Sequence, residues 1–166
     1  SDFLQDLPPA LIADTGFDVL THAIEAYTSS NAGTIPDLLA QEAFRTAYAC
    51  LPASYAGNTE VRLRLHMAST LAGMAFSQSG LGLCHAMAHV LGARFHIPHG
   101  RLNAILLPAV ISSNAPAAQQ KYARLARAAG LGGSADTIAL RNLKNGLIRA
   151  VGEPEERFSE DALRIL

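Results

Sequence analysis

The 166-residue sequence predicts an all-α fold, a helical bundle of six to eight helices, on three observations. Alanine, the strongest helix former, supplies 30 of the positions. Apolar residues recur three and four apart along most of the chain, the signature of a helix with one buried face. No β-branched run alternates strictly with polar residues, and the helical stretches are divided by short Gly/Pro corners.

The elements follow in order. The first eleven residues, with Pro8 and Pro9, read as an extended lead-in or linker. Asp14 or Thr15 is the expected cap of a helix running to about Ser30, with Phe17, Leu20, Ile24 and Tyr27 on its apolar face. Thr34 is the expected cap of a second helix, with Pro36 in its first turn, ending near Tyr55 before Gly57 and Asn58. A third spans Glu60 to Ser79 and places Leu63, Met67, Leu71 and Met74/Ala75 on one face. Gly80 and Gly82 bracket a break before a fourth helix, Leu83 to Arg94, which stops short of the Pro98-His99-Gly100 corner. Further helices are expected at 101–112, 116–129, 136–151 and 159–166, divided at Asn114–Pro116, at Gly130–Gly133 and between Gly152 and Ser159.

Composition excludes several classes of function. Lys and Arg number 13 against 14 Asp and Glu, a net charge of −1 with no basic stripe, which argues against binding nucleic acid. Hydrophobic residues at 49% exclude disorder. No apolar run approaches the roughly 18 residues of a membrane span, and the first residues lack the basic and apolar regions of a signal peptide. Cys50 and Cys84 supply no disulfide framework. The expectation is a soluble, intracellular helical domain covering residues 1–166.

The histidines stand apart from this background. His85, His89, His96 and His99 fall within fifteen residues, and His22 precedes them on another helix. Asp18 and His22 are four apart, which puts a carboxylate and an imidazole on one helical face, one turn apart. His85 and His89 repeat that spacing, and His99 follows a proline corner that could return it toward the same point. An Asp/His pair at this spacing is also an ordinary surface hydrogen bond, and a single helical histidine is usually core or surface. Yet these sit in apolar stretches, FDVLTHAIEAY and CHAMAHVL, where buried imidazoles and carboxylates are costly unless paired or bound to a metal. One Asp with three His suits Zn²⁺ or Fe²⁺ better than Ca²⁺ or Mg²⁺.

TGFDVLTHAIEAY, MASTLAGMAFSQSGLGLCHAMAHVLG and HIPHGRLNAILLP resemble, in order and spacing, the iron-containing (group III) alcohol dehydrogenases, and the resemblance reaches from LPPALIADTG to about Gly152. Within that family the sequence looks closest to the ethanol and 1-propanol dehydrogenases of ethanolamine and propanediol utilisation. The resemblance implies a helical C-terminal domain of the dehydroquinate synthase-like kind. It also implies a divalent ion, Fe²⁺ or Zn²⁺, held by Asp18, His22, His85 and His99. His89, the second histidine of CHAMAH, then matches a position beside the nicotinamide that serves proton transfer, and Phe76 matches one that packs against substrate. His66 and His96 match no functional position and read as polar side chains at helix surfaces.

The same resemblance implies interconversion of a short-chain primary alcohol and its aldehyde with NAD(P), in a bacterial cytoplasm or microcompartment, by a homo-oligomer. The Gly-rich GGGS-type turn that binds the dinucleotide in this family has no counterpart here, because Gly80–Gly82 and Gly130–Gly133 follow helices and not strands. The expectation is therefore the metal-binding half of a longer enzyme, inactive alone, whose N-terminal domain holds most of the NAD(P). A non-catalytic helical module for assembly or metal storage is the other reading of the same gap.

Overall fold

The structure, a computed structural model, describes residues 4–151, with side chains through 147. The described residues form six helices and no strand: α1 (Pro9–Thr28), α2 (Thr34–Tyr55), α3 (Glu60–Ser79), α4 (Leu83–Phe95), α5 (His99–Ala128) and α6 (Asp136–Val151). The all-α bundle expected from the sequence is what is found. The helix expected at 159–166 lies outside the described residues.

Helix α1 is the central element. It packs against α2, α3 and α5, while α4 and α6 lie chiefly against α5. Its expected apolar face is buried, with Phe17, Leu20, Ile24 and Tyr27 all at or below 5% exposure. They meet Phe44 of α2 and Leu102, Leu107, Ile111, Tyr122 and Leu125 of α5 in one core, which Leu143 and Leu147 of α6 extend.

Five expectations need correction. Helix α1 starts at Pro9, in place of an extended lead-in, because proline's fixed φ and missing N–H suit a helix's first turn. Asp14 and Thr15 lie inside that helix: the Thr15 hydroxyl donates to the Leu11 carbonyl, and Asp14 meets Arg101 of α5 at 3.3 Å. Thr34 is the first residue of α2, and Gly33 stands at its cap position.

On α3 most of the expected face points outward, with Leu63, Met67 and Met74 each more than half exposed and Leu71 half-buried against the core. The buried face is Leu65, Ala68, Ala72 and Ala75, so of the expected face only Ala75 is fully buried. Interhelical distance is set by the side chains at the contact, and a row of alanines lets α3 lie close against its neighbours where leucine and methionine would hold it off.

The stretches expected at 101–112 and 116–129 are one continuous helix, α5, with Pro108 and Pro116 inside it. Each proline removes one backbone hydrogen bond and usually bends or ends a helix. Here Leu107 before the first proline, Val110 and Ile111 between the two, and Tyr122, Ala123, Leu125 and Ala126 after the second are buried, so packing overrides the local preference.

Where α5 begins, it touches α1 with no side chain between. A Cβ on Gly100 would lie 1.9 Å from the Asp14 carbonyl oxygen. That close approach brings His99, the first residue of α5, next to Asp18.

Candidate metal centre

Three helices converge on one point. Helix α1 supplies Asp18 and His22, one turn apart as the spacing predicted, and Glu25 a turn further along the same face. Helix α4 supplies His85 from its first turn, and α5 supplies His99 and, one turn on, Asn103.

Asp18, His22 and His85 each present one ligand-type atom, and these three atoms all lie within 4.8 Å of one another. Among the described residues no other group of three or more Asp, Glu, His or Cys does so. Asp18 Oδ2 is 3.7 Å from His22 Nδ1, and Asp18 Oδ1 is 3.4 Å from His85 Nε2 and 3.5 Å from His99 Nε2. His99 thus borders the triplet through Asp18. The Asn103 amide nitrogen sits 2.7 Å from Asp18 Oδ1, 3.1 Å from His99 Nε2 and 3.2 Å from His85 Nε2, so all three atoms face one small volume.

Ring packing fixes the imidazoles. His22 is stacked between Phe76 of α3 and His85, with centroids 4.5 and 4.3 Å away. His89, one turn beyond His85 and exposed, stacks on His99 at 4.9 Å and lies 6.3 Å from the His85 ring.

The electrostatics suit a cation. Burial alone would raise Asp18, but its hydrogen bonds with His85 and Asn103 help bring it below the ordinary carboxylate range. Burial would likewise raise Glu25, and hydrogen bonds from His85, Gly82 and Cys84 bring it down. Between these carboxylates, burial would lower His85, yet the two partners push it up to about 9. Burial, only partly offset by Asp18, takes His22 down to about 4, which leaves it a neutral imidazole. A half-buried and a buried carboxylate, a neutral imidazole and a position that draws a proton onto a 2%-exposed histidine form a donor set that fits a divalent ion.

A cavity of about 510 Å³ opens from this cluster between α1 and α3. Asp18, His22 and Phe76 line it, together with Gly73, Ser69 and His66 of α3. A second hollow, about 470 Å³ between α1, α2 and α5, is lined by no histidine.

All six residues singled out from the sequence, Asp18, His22, Phe76, His85, His89 and His99, therefore meet in one region. His66 and His96 are exposed as expected, but His66 borders the cavity and His96 is the cap that ends α4. Glu25 and Asn103 were missed. The signal for Glu25 was its place seven residues after Asp18 in an apolar helix, and that for Asn103 was its place four after His99.

Comparison with known proteins bears on what this cluster belongs to. Residues 12–155 match the pattern of the Fe-containing alcohol dehydrogenase family, C-terminal part. The chain belongs to the iron-containing alcohol dehydrogenase family. It is 49% identical over 151 residues to a 1-propanol dehydrogenase of Citrobacter freundii, a match covering 87% of this chain and 40% of that protein. An NADPH-dependent butanol dehydrogenase of Clostridium saccharobutylicum is 45% identical, covering 87% and 37%. The crystal structure of a 1,3-propanediol oxidoreductase superposes with a TM-score of 0.83 at 39% identity, covering 89% of this chain and 40% of that one. The chain thus spans about two fifths of the length of these relatives.

Proposed function

We propose that the chain is the metal-binding catalytic half of an NAD(P)-dependent alcohol dehydrogenase, one that interconverts a short-chain primary alcohol and its aldehyde by hydride transfer. The observation that carries this reading is the convergence of Asp18, His22, His85 and His99 from three helices beside a cavity that Asp18 and His22 line. These four residues would hold Fe²⁺, the metal of the family's name, or Zn²⁺, since imidazole and carboxylate accept both. When bound, such an ion supplies Lewis-acid polarisation of the alcohol or aldehyde oxygen.

The chain's own residues do the rest. Asp18 supplies the negative charge of the donor set, and the stack of Phe76, His22 and His85 keeps the imidazoles aligned. Phe76 also borders the cavity, where it packs against the substrate's carbon chain. His89, exposed and stacked on His99, moves the hydroxyl proton between the site and solvent. NAD(P) is held mainly by an N-terminal dinucleotide-binding domain outside this chain; the much greater length of the relatives supports that division. On the same reading the enzyme is a cytoplasmic bacterial homo-oligomer, with a microcompartment as its other setting. Among the described residues no helix is long and apolar enough to cross a membrane.

The test is metal content after anaerobic loading with Fe²⁺ or Zn²⁺, beside an Asp18→Ala control. About one ion per wild-type chain and none in the control is expected. Equal, negligible uptake by both would overturn the assignment, and robust NAD-dependent alcohol turnover by these 166 residues alone would overturn the division into halves.

A further inference from the structure

Glu25 takes no part in the scheme above, yet its side chain is 4% exposed and joins two helices through one carboxylate. Oε1 accepts the Cys84 N–H at 2.7 Å, and Oε2 accepts the Gly82 N–H at 2.9 Å. Oε2 also lies 2.7 Å from His85 Nδ1 and 3.4 Å from the His85 backbone nitrogen.

Helix α4 has no side-chain cap of its own, because Gly82 stands at the cap position. Free N–H groups in a helix's first turn need an acceptor, and an anion there is favoured by the helix dipole. Glu25 of α1 meets both needs from outside. Gly82 leaves the room for it, since a Cβ there would come within 2.8 Å of Glu25 Oε1.

The contact with Nδ1 reaches further. An imidazole that donates Nδ1–H to a carboxylate is held in one tautomer, with the lone pair of Nε2 on the opposite side. In His85 that opposite side faces Asp18 Oδ1, 3.4 Å away. A carboxylate behind a ligating histidine fixes ring orientation and raises ligand basicity.

We propose that Glu25 is a positioning residue for the metal centre: one carboxylate both caps α4 and accepts His85 Nδ1–H, which aims Nε2 at the ion. The proposal rests on the metal reading of Asp18, His22, His85 and His99. It separates from a purely structural role, because a cap alone changes stability and leaves the zinc affinity of the folded chain and the His85 ring proton untouched.

The test uses the wild-type chain and Glu25→Gln, which keeps the size but offers one acceptor oxygen where the carboxylate offers two. Zn²⁺ affinity is read by competition with a chelator, folding by circular dichroism, and the ring protons of the zinc-loaded chain by ¹H–¹⁵N NMR. The expected result is an exchange-protected His85 Nδ1–H in the wild type that is lost in the variant. Zinc affinity should fall about 10- to 100-fold with helicity retained.

Glu25→Gln binding zinc as tightly as wild type would overturn the proposal and leave the metal reading intact. So would a zinc-loaded wild type whose His85 carries its proton on Nε2 or shows no protected Nδ1–H, a measurement that needs no variant to fold. A wild-type chain that takes up no zinc would overturn both readings together.

Discussion

The two ends of α4 each carry a histidine, and the two have opposite surroundings. His85, in the first turn, is 2% exposed, with a carboxylate facing each ring nitrogen and the His22 ring stacked at 4.3 Å. His96, at the cap that closes the helix, is exposed, and its backbone is in the left-handed region at φ 55°. The residue type is the same and the separation is eleven residues. The difference lies in what arrives from elsewhere: α1 and α5 close over the first end of α4 and leave the other open. A histidine becomes a candidate ligand here through the convergence of elements, not through its local sequence.

The sharpest way to break that contrast is to remove the buried end. His85→Ala is expected to abolish stoichiometric retention of Fe²⁺ or Zn²⁺, measured by elemental analysis after loading and desalting. It also leaves Asp18 and Glu25 without the cation between them, so the metal-free chain should be less stable. His96→Ala should bind as wild type. Uptake of about one ion per chain by His85→Ala would end the distinction between the two ends.

A second comparison lies within CHAMAH. His89 is one turn from His85 but exposed and stacked on His99, outside the triplet of ligand-type atoms. His89→Gln in the enzyme complete with its dinucleotide-binding part should keep its metal and lose turnover about 10²-fold, the scale of a general acid–base group. Metal loss in that variant would merge the two roles.

How much of this was legible in the sequence follows from how far each signal reaches. The face carrying Phe17, Leu20, Ile24 and Tyr27 is a local pattern and was buried as expected. Asp18 with His22 and His85 with His89 were visible for the same reason, since four residues make one turn. The α3 face misled because an alanine row packs closer than leucine and methionine, and hydrophobicity alone ranks the larger residues first. Pro108 and Pro116 misled because the packing that carries α5 through them involves α1 and α6, which are distant in sequence. Glu25 was missed because its partners, Gly82, Cys84 and His85, are at least 57 residues away.

Gly100 tests the approach of helices at the buried end. A Cβ there would lie 1.9 Å from the Asp14 carbonyl oxygen and 2.5 Å from its carbon, both backbone atoms with no flexible end to yield. Gly100→Ala should therefore push the start of α5 off α1, displace His99 and cost about 1–3 kcal/mol. Urea unfolding measures the stability, and zinc competition measures the site. A variant as stable as wild type would mean that α5 is not seated against α1 as described.

The smallest effect is expected at the open end, and with the opposite sign. His96 closes α4 by donating its backbone N–H to the Gly92 carbonyl at 2.9 Å, a role its side chain does not serve. The left-handed conformation costs a residue with a Cβ roughly 1–2 kcal/mol, and glycine adopts it without that strain. Against this, glycine makes the unfolded chain more flexible, which takes back about 0.4–1 kcal/mol. His96→Gly should therefore raise stability by about 0.5–1 kcal/mol, read as a higher urea midpoint at unchanged slope. Zinc affinity should not move, because no ring contact joins His96 to the cluster among the described residues. Loss of stability on placing glycine there would show that the His96 side chain holds the helix end in place, and a shift in zinc affinity would mean that the two ends of α4 are coupled.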